Sequence, residues 1–125
     1  MNHDEFVKKY YEIAGRALAF SKKARREGLL AFEEDADEEK INNRDIFQYG
    51  LRFVIDGIEQ PIIDGILSNI INQEKDETVK ILKEIQKQAI LAIQRGDHSR
   101  IIYAVLNSYT DIPLDEDEIR KSVED

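Results

Sequence analysis

Cysteine and tryptophan are both absent from the 125 residues, and methionine occurs once. The lack of cysteine excludes a disulfide framework and thiol chemistry, and it fits a reducing compartment. Only two prolines and six glycines punctuate the chain, too few for a loop-rich or all-β architecture. Long apolar runs are missing as well. The longest, such as Ala89 to Ile93, are about five residues, against the ~20 that a membrane span requires. The N-terminus, MNHDEFVKKYYEIAG, has no apolar core of the signal-peptide kind. Positive charge is also in deficit. The net charge of -8 repels a phosphate polyanion, and no aromatic residues interleave with basic ones as a base-stacking platform would need. Nucleic acid is therefore not an expected partner.

Hydrophobic residues make up 42% and charged residues 35%, a mix that supports a packed core in a chain of one-domain length. Apolar residues recur at three and four positions, and no stretch alternates with period two for long, so the expected class is all-α. A first helix is predicted from about His3 to Glu27, with a stripe of Phe6, Tyr10, Ile13, Ala17 and Phe20 and with Tyr11, Ala14 and Leu18 beside it. Asp4 and Glu5 in its first turn and Lys22, Lys23, Arg25 and Arg26 in its last suit the helix dipole, and Gly28 suits a residue just past its end. A short second helix is expected in LLAFEEDADEE, broken by Asn42 and Asn43. A third is expected from about Arg44 to Ile55, stopped by Asp56-Gly57.

Pro61 fits the first turn of the next helix. From Pro61 to about Arg95 the pattern allows either one long amphipathic helix or a pair, because Asn72 to Glu77 is polar throughout. Ile62, Ile63, Ile66, Leu67, Ile70 and Ile71 form one expected apolar band; Val79, Ile81, Leu82, Ile85, Ala89, Ala92 and Ile93 form another. Repeated isoleucine over that length also admits self-association into a homo-oligomer. Gly96-Asp97 ends the element, and Asp97 or Ser99 is the expected cap of a helix through RIIYAVLNSY. Residues 1–110 are read as the helical domain. Residues 111–125 are read as an acidic tail with a short helix, where Asp115 and Glu118 resemble a capping box.

Catalytic chemistry finds little material. His3 lies at the terminus, and His98 follows Asp97 at a turn where a capping or solvated role is expected. No second histidine stands near it at metal-ligand spacing. Asp111, Asp115, Glu116, Asp117 and Glu118 lack the glycine-containing loop of a calcium site. Tyr10, Tyr11, Phe47, Tyr49, Phe53 and Tyr103 fall on helical stripes and read as packing residues. The expectation is a non-enzymatic protein without metal or cofactor that works by contact.

One stretch stands out. Four cations (Lys22, Lys23, Arg25, Arg26) precede Gly28, and six acids crowd the seven residues Glu33 to Glu39, with Leu29-Leu30-Ala31-Phe32 between them. A helix dipole accounts for the cations but not for the acids. KARREGLLAFEED (23–35), GLRFVIDG (50–57) and IIDGILSNIINQE (62–74) resemble, in order and spacing, the cytoplasmic region of the flagellar motor stator protein MotA (MotA/TolQ/ExbB proton channel family). The resemblance covers about Ala17 to Glu77. It implies a motility-linked cytoplasmic protein at the inner face of the membrane. The implied partners are the rotor switch protein FliG or membrane stator subunits. Arg25 and Glu33 are the implied contact residues, with Arg26 and Glu34 as adjacent alternatives. This sequence departs from the family in having no membrane helix and in continuing after Glu77 as a polar amphipathic segment, which points to a soluble relative. The alternative reading is a helical adaptor or self-associating scaffold unrelated to motility.

Overall fold

The computed structural model describes residues 1–34 and 45–119, and over these the chain is all-α. Helix α1 spans His3–Glu27 and a 3-10 helix follows at Leu29–Phe32. Then come α2 (Ile46–Ile55), α3 (Gln60–Ile71), α4 (Glu77–Arg95) and α5 (Ser99–Asn107). Among the described residues there is no strand, and no helix is long and apolar enough to cross a membrane.

The ends of α1 follow its sequence. The Asn2 side chain accepts the Glu5 N–H at 2.9 Å, satisfying a donor that the first turn leaves without a partner. Gly28, at φ 88°, turns the chain away where a side chain would be strained. The short helix expected in LLAFEEDADEE is a 3-10 helix at its start, and residues 33–34 form a turn. With three residues per turn, Leu29 and Phe32 share one side, so both pack inward while Leu30 points out. Residues 35–44 lie outside the described part, as do the rest of the acid run, the Asn42-Asn43 break and the expected Arg44 start. Helix α2 is described from Asp45, whose carboxylate caps it by accepting the Gln48 N–H at 3.0 Å.

The stretch from Pro61 to Arg95 is two helices. The turn between them ends at Asp76, whose carboxylate accepts the N–H groups of Thr78 and Val79 and so starts α4. Helix α4 is the central element, buried on two sides. Leu82, Ile85, Ala89 and Ala92 pack in a core with Tyr10, Ala14, Ala17 and Leu18 of α1 and with Ile102 and Leu106 of α5. Ile90, Leu91 and Ile93 belong to a second core with Phe32, Phe47, Leu51, Val54, Ile63, Leu67 and Ile71. Gly50 lets α2 approach closely: a Cβ there would lie 2.9 Å from Ile90 Cγ2. The apolar band expected on α3 is only half buried. Ile63, Leu67 and Ile71 are enclosed, Ile66 and Ile70 are partly covered, and Ile62 is exposed. A single contact face takes one in three or four positions, not two in four. Of the isoleucines between Pro61 and Arg95, Ile63, Ile71, Ile85, Ile90 and Ile93 pack inside the chain, while Ile62 and Ile81 are exposed.

One further expectation is revised at α5. His98, not Asp97 or Ser99, caps α5, its Nδ1 accepting the Arg100 N–H at 3.3 Å. The Asp97 carboxylate instead pairs with Arg95 at 2.8 Å. Residues 111–119 pack against α1: the Tyr11 hydroxyl donates to the Pro113 carbonyl at 3.0 Å and accepts the Asp115 N–H at 3.2 Å, while Ile119 is buried. Asp115 does cap the turn that follows, accepting from the Asp117 and Glu118 N–H groups.

Candidate functional site

The four charged residues singled out from the sequence lie on either side of the 3-10 helix, and the two cores hold them in place. Phe32 anchors the segment. It is fully buried, stacks on Phe20 with ring centroids 4.8 Å apart, and carries the Lys23 ammonium 5.2 Å from its ring centre. Phe20 also meets Phe47 of α2 edge-on at 5.1 Å, and the Arg16 guanidinium lies 4.1 Å from the Phe47 ring. Burying an aromatic ring of this size is worth about 1.5–3 kcal/mol, and a cation over a ring adds roughly 0.5–1 kcal/mol at a partly exposed site. The segment is thus tied down by packing beneath it.

On the cationic side, Arg25 and Arg26 end α1 and are exposed. Arg25 Nη2 donates to Ser99 Oγ at 3.1 Å, which draws it toward the start of α5. Arg26 pairs with Glu27 at 3.2 Å, and its side chain is 73% accessible. On the acidic side, Glu33 and Glu34 are exposed in the turn after the 3-10 helix. Glu33 accepts from Arg52 Nη1 at 3.3 Å, and Arg52 also holds Asp56 at 2.7 Å. The Asp56 carboxylate, followed by Glu33, pushes the Arg52 pKa upward. Between the two charged poles Leu30 stands 72% exposed, more than any other large hydrophobic side chain described.

Sequence reasoning located the four charges but missed Leu30 and Arg52. Arg52 and Asp56, at i and i+4, were readable as a helical ion pair. The reach from Arg52 back to Glu33 was not, because it depends on α2 packing beside the 3-10 helix. Leu30 was hidden in an apolar run whose 3-10 period decides which member turns outward.

A second charged cluster joins α4 to α3. Lys87, only 8% exposed, lies between Asp64 (2.8 Å), Glu84 (3.2 Å) and the Ser68 hydroxyl (2.9 Å). Burial works against its charge, but the hydrogen bonds to Asp64 and Glu84 outweigh it and raise its pKa; Asp64 is lowered in return, chiefly by its bond to Lys87. A shallow groove of about 430 Å³ runs between α1 and α4, lined by Lys9, Ile13, Arg16, Leu82 and Lys83 among others. Glu12 and Asp45 add two carboxylates to its lining. Among the described residues no group of three or more His, Asp or Glu is placed to hold a metal ion.

No protein-family model and no solved structure matches the chain. Over 81 residues, 65% of its length, it is 32% identical to a protein named motility protein A from Treponema phagedenis. The chain spans 30% of that protein's length. The similarity supports a partial, MotA-like relationship for this chain.

Proposed function

We propose that this chain is a non-enzymatic contact module of the bacterial flagellar motor, working at the cytoplasmic face of the membrane. It engages a rotor or stator protein, with the rotor switch protein FliG as the first partner to test. The likeness to motility protein A carries this reading. The exposed positions of Arg25, Arg26, Glu33 and Glu34 on either side of one rigid segment support it. Opposite charges at the rim of an interface set orientation and association rate more than affinity. Contacts of that kind form and release quickly, as a stepping rotor requires.

The experiment is a pull-down of purified FliG with the wild-type chain, Arg25→Glu and Glu33→Lys, repeated at low and high salt. Each reversal is expected to weaken capture, and salt is expected to weaken all of it. Full capture by both variants would remove these residues from the contact. No capture by the wild-type chain would reject the rotor partner.

A further inference from the structure

We infer that the face around Leu30 pairs with a second copy of itself across a twofold axis passing beside Leu30. A twofold interface is self-complementary: whatever lies on one side of the axis meets whatever lies on the other. On this face charges of opposite sign precede and follow the exposed Leu30. Arg25 and Arg26 form one pole, with Arg25 drawn toward Ser99 at the start of α5. Glu33 and Glu34 form the other, with Glu33 drawn toward Arg52 in α2. Helix α5 packs in one core and α2 in the other, so the two poles are tied to different helices. Rotation by half a turn sets the cations of one copy against the acids of the next, and the reverse, and it brings the two Leu30 side chains together at the centre. An apolar centre within a charged rim is the usual anatomy of a specific contact.

The segment is also preorganised. Phe32, locked under Phe20 and Lys23, fixes the 3-10 helix on its inner side, so Leu30 is presented without loop ordering on association. The net charge of -8 opposes pairing in general. At physiological salt, however, charges more than about 8 Å apart are largely screened, and the facing rims dominate. Glu27, exposed beside Arg26, is the one acid on the cationic side of Gly28 near the helix end, and it pairs with Arg26. A patch this small belongs with weak, rapidly exchanging contacts, and a dissociation constant on the order of 0.1–1 mM is expected. Pairing covers the same charges that the motility reading offers to a rotor protein, so the paired form and the partner-bound form exclude each other. The pairing itself does not depend on that reading.

Sedimentation equilibrium up to about 1 mM protein, at low and at high salt, tests the inference, with thermal melts confirming that each variant folds. The wild type is expected to dimerise, more weakly as salt rises. Leu30→Asp is expected to raise the dissociation constant at least about tenfold. The decisive arm uses two charge variants, Arg25→Glu/Arg26→Glu and Glu33→Lys/Glu34→Lys. Each alone should stay monomeric, because it faces its own sign, and an equimolar mixture should form a heterodimer. A wild-type monomer throughout the range overturns the inference and leaves the face to a different protein. A dimer that survives Leu30→Asp, or two variants that do not associate when mixed, overturns it equally.

Discussion

Arg52 and Glu33 meet at 3.3 Å although they are 19 positions apart, and the same guanidinium holds Asp56 at 2.7 Å. One cation thereby ties the turn after the 3-10 helix to the last turn of α2. Exposed pairs of this kind contribute little to global stability; what this one supplies is a fixed position for Glu33. Arg52→Met is expected to leave the melting temperature nearly unchanged while speeding hydrogen exchange at the Ala31 and Glu33 amides, which bond to Gly28 and Leu30 within the short helix. Exchange unchanged at both amides would show that Phe32 alone holds the segment.

Two glycines in neighbouring helices should respond to alanine with opposite signs. A Cβ at Gly50 would sit 2.9 Å from Ile90 Cγ2 and 3.1 Å from Leu67 Cδ1, side chains that are themselves fully enclosed. Gly50→Ala is expected to cost about 1–3 kcal/mol, the range for forcing an extra methyl into a packed core. Gly65 in α3 has nothing within 4 Å of its would-be Cβ, so Gly65→Ala is expected to stabilise by roughly 0.5–1 kcal/mol through helix propensity alone. Urea denaturation of both variants measures the two signs directly.

The buried Tyr10 hydroxyl donates to Asn107 Oδ1 at 2.9 Å, joining α1 to the end of α5. Burial, with Tyr11 nearby, pushes its pKa up to about 12. A raised tyrosine pKa favours the protonated form, so its contribution is complete below pH 10 and is lost as pH rises toward the folded value. The loss over that window is on the order of 2–3 kcal/mol. In Tyr10→Phe that alkaline loss should largely disappear, while neutral-pH stability falls by about 1 kcal/mol for the missing hydrogen bond. An alkaline limb as steep as in the wild type would assign it to another group.

Lys87 and Asp64 join α4 to α3 with the opposite pair of limits. Asp64 is depressed, so its share of the stability is present above its ordinary value and is lost as pH falls below about 4. Lys87 is raised, so its share is present below its ordinary value and is lost as pH rises past about 10.5. Lys87→Met, of similar length, should flatten both limbs while keeping the fold. Denaturation midpoints between pH 3 and 11 follow the effect, and limbs identical to the wild type would show that the bridge is not coupled to folding.

Much of this architecture is written in local patterns. The span of α1, the stop at Gly28, the Pro61 start of α3 and the left-handed Gly96 at the end of α4 all follow from capping and backbone chemistry within a few residues. The cations before Gly28 are equally local, since α1 ends there and its dipole favours positive charge in the last turn. Which apolar residues stay outside is not local. Ile62 and Leu30 look like core residues in sequence, and both are exposed because α3 and the 3-10 helix each have only one covered side. Conversely Lys87 looks like a surface residue and is buried, because α4 is covered on two faces and its acids come from α3 and from its own preceding turn. The pairing of Glu33 with Arg52 and the outward Leu30 between two charged poles arise from helices meeting across the chain. Residue order states which side chains are available. Packing against distant helices states which of them face water, and that decides what a partner can touch.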